Sequence, residues 1–568
     1  MPPCPSCLDT LRALCDSGHP VHPDSTTSAA QAQSLDIREW SASRLSADYI
    51  HHHELLSDFY AGTPADPEAW RATIARVQAA GRDRAGMVGV LEAQLASRNA
   101  PEHARAAARK LADPRAVAVV TGQQAGLFGG PLYTLMKALT AAKLAADVEA
   151  QYGVPVVTVF WDHGEDHDWA EVASAEVLDA ELRLQRVTVA DGDGAGSRPV
   201  ARVPLPDDIV RALDALAEAL PQTEFTAETM ETLRACYTPG QSMSDAFGHL
   251  MDRLLGPLGI VVFDGSDPAA KQWAAPIFAR VINHPGHTSR LAASAGDALV
   301  AAGYHAQVAP QPEAVALFYM REAREALHYR NGRFDAGEFS WTQEELLAEL
   351  HEHPEHFSPN VLLRAVVQDT LLPTIAYVAG PSELAYLGQL REVYAFHETA
   401  MPLIVPRATA TMLDAPATRF LQRYDVPVLS MRAQDEHALN ALLESQLPAA
   451  VEQALHDTET AIHERLARLR AVVPAVDPTL DGAVQSMASR LDHEMRGVRS
   501  KVIQAAKRRN DTLRRQFIRT QQLVFPGGHA QERTVCVAWF MNRYGPALVP
   551  RLYDVLRTEP GRHWLLQI

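Results

Sequence analysis

Two features are scarce in this sequence, and each absence excludes a class of protein. Cysteine supplies only 5 of 568 residues, too few for a fold held together by disulfides. No run of about 18 or more apolar residues occurs, so no segment is long enough to cross a bilayer as a helix. The amino terminus lacks the basic start and the apolar run of a secretory signal. We therefore expect a soluble protein of the cytoplasm, without a membrane partner.

Positive charge is also in short supply. The 52 lysines and arginines are outnumbered by 69 aspartates and glutamates, which gives a formal net charge of -17. Neutralising a nucleic-acid backbone requires a basic face, so this balance argues against a nucleic-acid partner. It still allows a local basic pocket for a small anion. With 47% hydrophobic residues, a chain of this length can bury a large core.

The cysteines that are present cluster near the amino terminus. Cys4, Cys7 and Cys15 are followed by two histidines, a spacing that could bind zinc. A second C-x2-C pair is missing from the sequence. A poorly ordered N-terminal extension over residues 1–34 is therefore the favoured interpretation, and we assign no residue as a metal ligand.

Residues 35–430 alternate short apolar runs with amphipathic helices. This pattern is typical of an α/β fold built on a mostly parallel sheet. Ligands of such sheets bind beyond the carboxyl ends of the strands. We expect an inserted hairpin near residues 182–203 and a second insertion near residues 310–357. The predicted strands are Ala116–Val120, Val156–Phe160, Ile260–Phe263, Thr374–Val378 and Leu403–Val405.

The pattern changes over residues 431–524. Leucines and valines recur there at steps of three and four, on both sides of a break at Pro474 and Pro478. Such a seam predicts a long antiparallel α-helical coiled coil. Its second helix, about 45 residues at 1.5 Å each, would be roughly 65 Å long. Pro448 is either an early helical position or a kink in the first helix. Residues 525–568 are expected to return to the core.

The most informative loop follows the first predicted strand. Residues 121–131 contain four glycines and two glutamines, and a helix is expected to begin near Pro131. Glycines allow a ligand to approach the backbone, and a helix start offers free amide groups to an anion. We therefore predict phosphate or carboxylate binding, with a flexible turn as the alternative. The candidate residues are Gly122, Gln123, Gln124, Gly126 and Gly130.

Acidic residues follow the second predicted strand. Carboxylates beside a histidine can bind Mg²⁺ or act as a general base. A helix cap with an acidic first turn is the alternative interpretation. An apolar core tolerates a polar stretch at a strand end poorly, which favours a functional role. The candidate catalytic residues are Glu165, Asp166, His167 and Asp168.

Two later segments supply candidate substrate-binding groups. A Gly-Pro turn after the fourth strand directs another helix start toward the cleft. Two arginines could clamp a carboxylate in bidentate fashion, with structural ion pairs as the alternative. A Gly-Gly turn after the coiled coil could complete the pocket or simply end the helix. The candidates are Arg364, Gln368, Ser382, Glu383, Tyr386, Arg407, His529 and Arg533.

Several of these segments together resemble the BshC family, the cysteine-adding enzymes of bacillithiol biosynthesis. They occur in family order over about residues 35–568, whereas residues 1–34 do not resemble the family. The resemblance implies a nucleotidyltransferase-like Rossmann core with insertions, and a coiled-coil arm that mediates homodimerisation. The segments are TGQQAGLFGGPLYTLMKA, VFWDHGEDHDWAEV, FSPNVLLRAVVQDTLLPTIAYVAGPSELAYLGQL, MPLIVPRATATMLD and FPGGHAQERT.

The reaction that the resemblance implies joins the carboxyl group of cysteine to the amine of glucosaminyl-malate. A free carboxylate must be activated first, so we expect an adenine nucleotide, ATP or ADP, with Mg²⁺ as a candidate ion. In this hypothesis the glycine loop holds phosphates, the acidic group binds Mg²⁺ or deprotonates the amine, and the arginines neutralise carboxylates. A class I nucleotidyltransferase and a nucleotide-regulated coiled-coil scaffold are the alternatives. Polar loops concentrated at strand ends favour an enzyme over the scaffold.

Overall fold

The computed structural model describes residues 33–567, apart from positions 42 and 312. The N-terminal extension, with the three cysteines for which zinc binding was considered, lies outside these residues. The strands, numbered in chain order, are β1 (Gln33–Asp36), β2 (Val117–Gln123), β3 (Val156–Asp162), β4 (Ser174–Leu178), β5 (Leu184–Thr188), β6 (Val261–Asp264), β7 (Ala314–Met320), β8 (Arg324–Arg330), β9 (Arg333–Ala336), β10 (Phe339–Trp341), β11 (Phe357–Pro359), β12 (Thr374–Ala379), β13 (Leu403–Pro406), β14 (Thr409–Leu413) and β15 (Arg562–Gln567).

Helices account for most of the remaining regular structure. The α-helices span Ile37–Trp40, Arg44–His51, Pro67–Ala79, Arg84–Ser97, Glu102–Lys110, Tyr133–Tyr152, Trp169–Val172, Ile209–Ala219, Thr226–Cys236, Met243–Leu255, Pro268–Asn283, His287–Ala301, Gln343–Glu352, Val361–Leu371, Pro381–Leu387, Arg391–Phe396, Ala415–Tyr424, His437–Ser445, Ala449–Val472, Leu480–Arg509, Asp511–Val524, Gln531–Thr534, Val537–Tyr544 and Leu548–Val555. Within the described residues, no helix is long and apolar enough to cross a membrane.

The central sheet confirms the predicted α/β fold. Its five strands have the order β13-β12-β2-β3-β6 and pair in parallel throughout. Residues of β2 and β3 are buried on both faces, which explains why the strands appear in the sequence as continuous apolar runs. All five predicted strands belong to this sheet. The strand order reverses between β2 and β12, and such a switch point opens a crevice at the carboxyl ends.

The first insertion differs from its prediction. A hairpin is present, but it pairs β4 with β5 and therefore lies before most of residues 182–203. The turn forms earlier because the Asp179 carboxylate accepts the main-chain N–H groups of Glu181 and Arg183, each at 2.9 Å. The segment DGDGAG, residues 191–196, is a loop. The chain after it forms a 3-10 turn at Val200–Arg202, where a hairpin over residues 182–203 would have its second strand.

The second insertion, predicted near residues 310–357, folds as an antiparallel sheet of its own. The strand order is β10-β9-β8-β7-β11. The helix Gln343–Glu352 follows β10 and starts with a capping box, in which Thr342 accepts the N–H of Glu345 and the Glu345 carboxylate accepts the N–H of Thr342. The strand β11 then leads directly into the helix Val361–Leu371, so the insertion is joined to the central sheet near its carboxyl edge.

The predicted coiled coil is confirmed, with one difference. The helices Ala449–Val472 and Leu480–Arg509 run antiparallel, and Pro448 stands just before the first of them instead of inside it. The predicted second helix of about 45 residues is broken at Asn510, and a further helix covers Asp511–Val524. Three side-chain pairs join the two helices, and as the residue number falls along the first helix it rises along the second, as antiparallel packing requires. The pairs are Arg470–Asp481, His463–Asp492 and Glu452–Arg499.

The C-terminal segment returns to the core, as expected. The strand β15 pairs in parallel with β14. The buried Gln531 side chain accepts the N–H of Met412 at 2.8 Å and donates to the Met412 carbonyl at 3.0 Å. These contacts place the residues around Gln531 beside β14, and the neighbouring Glu532 contacts Arg407, the residue that directly follows β13.

Candidate active site

A cavity of about 340 Å³ lies at the carboxyl ends of β2, β3 and β12, beside the switch point. This is the location at which parallel α/β sheets bind their ligands. A second cavity of about 350 Å³ adjoins it and shares part of its wall. The predicted site residues that line the first cavity are Gln123, Gln124, Glu165, Asp166, Arg364, Ser382, Glu383, Tyr386, Arg407 and Arg533.

A buried ion pair crosses the switch point. Lys137, on the helix after β2, contacts the carboxylate of Glu383, on the helix after β12. Its ammonium group also donates to the Gly122 carbonyl at 2.6 Å and to the side-chain oxygen of Gln123 at 3.2 Å. Burial lowers the pKa of Lys137. Burial alone would raise the pKa of Glu383, but its ion-pair and hydrogen-bond partners, Lys137 first among them, outweigh this effect and lower it, so the carboxylate of Glu383 is held in its charged form at the floor of the cavity.

Glu383 has two further donors. The Tyr377 hydroxyl donates to its carboxylate at 2.6 Å, and the N–H of Gly380 donates at 2.8 Å. Through the second bond, Glu383 at the third helical position accepts the N–H of the N-cap residue Gly380 and so caps the start of the helix Pro381–Leu387. Glu383 is therefore fully engaged as an acceptor, and its role in this structure is to fix the cavity floor.

Arg364 faces the cavity with neutral partners. It donates to the Tyr386 hydroxyl at 2.7 Å and to the Gln368 side-chain oxygen at 3.0 Å. Gln368 is fully buried behind it and donates in turn to Asp369 at 2.9 Å. Burial raises the pKa of Asp369 to about 6. The guanidinium of Arg364 is thus oriented by hydrogen bonds and not neutralised by a carboxylate among the described residues, which suits the binding of an anionic ligand.

The acidic group after β3 is paired with cations from two other elements. The Glu165 carboxylate contacts Lys271, a buried residue on the helix Pro268–Asn283. Asp166 accepts from the Gln124 amide at 2.8 Å and lies 3.6 Å from the guanidinium of Arg324. Burial alone would raise the pKa of Asp166, but Arg324 and Gln124 reverse the effect and lower it. The two carboxylates are therefore anchored in fixed positions.

Arg324 comes from the inserted sheet, at the start of β8. It donates to Nδ1 of His167 at 3.0 Å and to the Pro359 carbonyl at 3.2 Å. Its guanidinium lies over the Phe318 ring, 3.7 Å from the centroid. Burial lowers its pKa to about 10. The insertion thus places a buried cation beside the acidic group, where it forms part of the cavity wall.

His163 is the first residue after β3 and also lines the cavity. Its Nε2 atom is buried and has no hydrogen-bond partner among the described residues. Burial lowers the pKa of this imidazole well below its usual range, so the ring is neutral. An unpartnered buried polar atom in a cavity wall is a position at which a ligand group could form a hydrogen bond.

The two remaining arginines differ in their environment. Arg407 is buried and forms a bidentate pair with Glu532, with N–O distances of 2.8 and 3.1 Å. Arg533 is exposed at the cavity rim, with its guanidinium 5.9 Å from the Tyr133 ring centroid. The structural ion pair considered for Arg407 is thus present. Within the described residues Arg533 has no carboxylate partner, so it stays free to bind an anion.

The glycine loop is closed against the C-terminal segment. Its helix begins at Tyr133, two residues after Pro131, near which the start was predicted. The N–H of Leu132 donates to the Val535 carbonyl at 3.0 Å, which engages an amide that an open helix start would leave free. A Cβ atom on Gly126 would lie 2.9 Å from the Cα of Gly130. These glycines therefore let the loop fold onto itself. Anion binding by the loop stays a prediction.

Several predicted residues lie beside the first cavity and not in its wall. Gly122 is buried, and its carbonyl accepts a hydrogen bond from the Lys137 ammonium group. Gly126 and Gly130 border a smaller cavity of about 240 Å³ that also reaches Gln123 and Gln124. His529 lines the adjoining cavity of about 350 Å³. His167 stands at the rim beside Arg324, and Asp168 caps the helix Trp169–Val172 by accepting the N–H of Glu171 at 3.1 Å. The helix-cap alternative therefore applies to Asp168.

Sequence reasoning missed five residues of the site: Lys137, His163, Glu171, Lys271 and Arg324. Lys137 could have been found, because a lysine flanked by Leu135, Met136, Ala138 and Leu139 on the helix after β2 requires a partner. His163 lay inside a motif that was already singled out. Glu171 lies in the same motif, on the short helix Trp169–Val172, whereas Lys271 and Arg324 sit on distant elements that no local pattern links to the cleft.

Comparison with known proteins agrees with this architecture. Residues 31–408 match the family model described as the bacillithiol biosynthesis BshC N-terminal Rossmann-like domain. Residues 410–568 match the BshC C-terminal coiled-coil domain. The chain belongs to the BshC family. The two matches together cover the sheet core, the arm and the returning C-terminal segment.

Curated BshC proteins are similar over nearly their whole length, and each of the following is named "Putative cysteine ligase BshC". The chain is 36% identical over 530 residues to the protein of Salinibacter ruber, covering 92% of this chain and 96% of that protein. It is 34% identical over 521 residues to that of Koribacter versatilis, with coverage of 91% and 96%. For Symbiobacterium thermophilum the identity is 33% over 495 residues, with coverage of 84% and 89%.

Proposed function

We propose that this chain joins the carboxyl group of cysteine to the amine of glucosaminyl-malate, the last step of bacillithiol biosynthesis, with activation by an adenine nucleotide. Membership of the BshC family supports the reaction class, and the relatives named as cysteine ligases support the amino acid. The observation that carries the proposal is the pair Arg364 and Arg533, two cavity arginines without a carboxylate partner among the described residues.

The two arginines fit the malate group. Malate carries two carboxylates, and each guanidinium can bind one through charge-assisted hydrogen bonds. Arg364 is already oriented by Tyr386, so little side-chain freedom is lost when a ligand binds. The unpartnered Nε2 of His163, another residue of the cavity wall, offers one more polar contact. The cavity therefore contains a cationic recognition group for each of the two carboxylates of this substrate.

Glu165 and Lys271 support the proton transfer. The sugar ammonium group must lose a proton before its nitrogen can attack the activated cysteine carboxyl. Glu165 lines the cavity and contacts Lys271, whose pKa burial lowers to about 7. Lowering the pKa of a lysine makes its uncharged form, which can accept a proton, more accessible. In our proposal the proton passes from the substrate to Glu165 and then to Lys271. His167 and Asp168 are retained as candidates at the rim.

Activation requires a nucleotide, ATP or its product ADP, and the amides of Gln123 and Gln124 are the loop groups that reach the cavity. When bound, ATP would supply the activation that turns one carboxylate oxygen of cysteine into part of a leaving group, phosphate or AMP, which the sugar nitrogen would displace as the amide bond forms. The carboxylates do not form a ready Mg²⁺ ligand set, because Glu165 is paired with Lys271 and Asp166 with Gln124 and Arg324. We therefore propose that any Mg²⁺ is bound chiefly by nucleotide phosphates, and no step depends on it here.

The arm supports a homodimer. Apolar side chains stay exposed near its tip, with Leu469 at 42%, Val472 at 61% and Val476 at 84% exposure. Exposed apolar patches of this kind commonly mark protein contact sites. A second copy of the chain is the partner that we propose.

Gene deletion tests the reaction directly. In a strain that makes bacillithiol, thiols are labelled and quantified by mass spectrometry before and after deletion. We expect glucosaminyl-malate to accumulate and bacillithiol to vanish. Re-expression of the wild-type chain or of Arg551→Met, an exposed arginine remote from the cavity, should restore bacillithiol, whereas Arg364→Met should not. Bacillithiol at the parental level after deletion, with no other gene supplying the step, would overturn the proposal.

A further inference from the structure

The inserted sheet carries a group of potential metal ligands that the proposed reaction does not use. Among the residues that the structure describes, His353, Glu355 and His356 form a cluster whose ligand atoms all lie within 4.8 Å of one another. They occupy the sequence His-Pro-Glu-His, where the helix Gln343–Glu352 ends and a 3-10 turn leads into β11. The turn brings the two imidazoles face to face, with ring centroids 4.7 Å apart.

The distances between the possible ligand atoms are close to those between atoms that coordinate the same metal ion. Nitrogen and oxygen ligands lie about 2.0–2.2 Å from zinc, so two ligands of one ion are at most about 4.4 Å apart. The observed limit of 4.8 Å is slightly larger. Small side-chain rotations would therefore bring the three donors to a common ion, because all three residues are only partly buried and their side chains have room to move.

A second carboxylate is placed to support one of the ligands. Nδ1 of His356 lies 2.8 Å from the Glu349 carboxylate, and the Tyr319 hydroxyl donates to the same carboxylate at 2.6 Å. A histidine that donates Nδ1–H to a carboxylate presents Nε2 as a free donor atom. This is the arrangement by which proteins orient imidazole ligands for metals. Tyr319 fixes Glu349, and Glu349 fixes the imidazole of His356.

We propose that His353, Glu355 and His356 bind a divalent transition-metal ion of the zinc class, with Glu349 orienting His356. Two imidazoles and one carboxylate favour zinc or a similar ion over Mg²⁺ or Ca²⁺, which prefer oxygen ligands. Three protein ligands leave a coordination position for water. The site is separate from the active-site cavity, because none of its three ligand residues lines that cavity.

The site has a structural consequence. A metal ion would fasten the end of the helix Gln343–Glu352 to the residue that precedes β11. The last residue of β11, Pro359, accepts a hydrogen bond from Arg324, the cation beside Asp166. Metal binding would therefore stabilise the part of the insertion that holds Arg324 in the cavity wall.

Zinc titration of the full-length chain tests the proposal. Cys4, Cys7 and Cys15 are first replaced by serine, so that those thiols cannot bind the metal. Calorimetry with Zn²⁺ should show one ion per chain, and Zn²⁺ should raise the thermal unfolding temperature. His356→Ala should abolish both effects, and Glu349→Gln should weaken binding about 10- to 100-fold. The matched control is His351→Ala, an exposed histidine on the same helix, which should behave like the parent.

Two results would overturn the inference. One is the absence of stoichiometric Zn²⁺ binding by the parent chain at micromolar concentrations. The other is binding by His356→Ala with the affinity of the parent. Circular dichroism establishes that each variant is folded. If His356→Ala fails to fold, Glu355→Gln decides the question in the same titration, because it removes one ligand charge at a partly exposed position.

Discussion

Lys137 and Glu383 form a buried ion pair that joins the helices after β2 and β12 across the switch point. The two residues belong to segments far apart in the sequence, and their contact forms the floor of the cavity. Each side chain also forms a hydrogen bond with the main chain of a loop. Lys137 donates to the Gly122 carbonyl, and Glu383 accepts from the Gly380 N–H. The pair therefore fixes the backbone of two loops at once.

Removing one member of this pair should be strongly destabilising. Lys137→Met leaves the Glu383 carboxylate buried without its cation, and we expect the free energy of unfolding to fall by about 3–5 kcal/mol. The double variant Lys137→Met/Glu383→Gln should recover much of this loss, because the uncompensated charge is gone. Guanidinium denaturation measures both values. Arg71→Met, which breaks an exposed pair with Glu68, is the control and should change stability by less than about 1 kcal/mol. An equally small effect of Lys137→Met would contradict this prediction.

Arg364 and Arg533 should each contribute to substrate affinity. A charge-assisted hydrogen bond contributes about 1.5–3 kcal/mol, so Arg364→Met and Arg533→Met should each weaken glucosaminyl-malate binding by about 10- to 100-fold. Calorimetry with purified protein measures the dissociation constant. Arg551→Met serves as the matched control and should bind like wild type. If both cavity variants kept wild-type affinity, the malate site would have to lie elsewhere.

Stability should depend on pH through His563. Its ring is fully buried and stacks on Trp40 at a centroid distance of 3.4 Å. Burial lowers its pKa to about 3, below the unfolded value of about 6.5. Between these values the unfolded chain binds the additional proton, so stability rises with pH and falls on acidification, by at most about 1.4 kcal/mol per pH unit for this group.

The variant His563→Gln should therefore show a flatter decrease in stability between pH 6.5 and 4.5. Urea unfolding at several pH values gives the slope. His103→Gln, at an exposed histidine, should leave the slope unchanged. Identical slopes for wild type and His563→Gln would show that protonation of His563 does not drive acid unfolding.

The arm should hold two chains together. Light scattering is expected to give twice the chain mass of 62.1 kDa. Val472→Glu combined with Val476→Glu places charges on the exposed apolar tip and should shift the protein toward monomer. Val300→Glu, at a residue that is 55% exposed on a core helix, should leave the dimer intact. A wild-type monomer across micromolar concentrations would refute the prediction.

The central sheet could be predicted because its signal is local. Strands buried on both faces appear as short runs of valine and isoleucine, and the polar residues after them mark the carboxyl edge. The break at Asn510 also had a local signal, because asparagine followed by aspartate is typical of a helix end and a new start. The continuous apolar periodicity concealed it.

The partners of the site residues could not be predicted in this way. Nothing near Glu165 indicates Lys271, and Arg324 lies in an insertion whose position relative to the sheet depends on tertiary packing. The glycine loop shows the same limit. Its composition fits an open anion-binding site. In the structure, however, the carbonyl of Val535, which belongs to a distant segment of the chain, accepts the hydrogen bond of the Leu132 N–H. Composition alone does not show whether a glycine allows a ligand or another segment of the same chain to approach its backbone closely.

The pairing of Arg407 with Glu532 also bears on how the protein is made. The two residues are 125 positions apart, and at about 5–20 residues per second a ribosome needs roughly 6–25 s to pass from one to the other. During that interval the nascent chain has the sheet residues but lacks the anion that neutralises Arg407. Translation that stopped within the arm would release a polypeptide with an uncompensated cation in its core. We expect such a truncated polypeptide to be bound by chaperones or degraded by proteases before it can bind substrate.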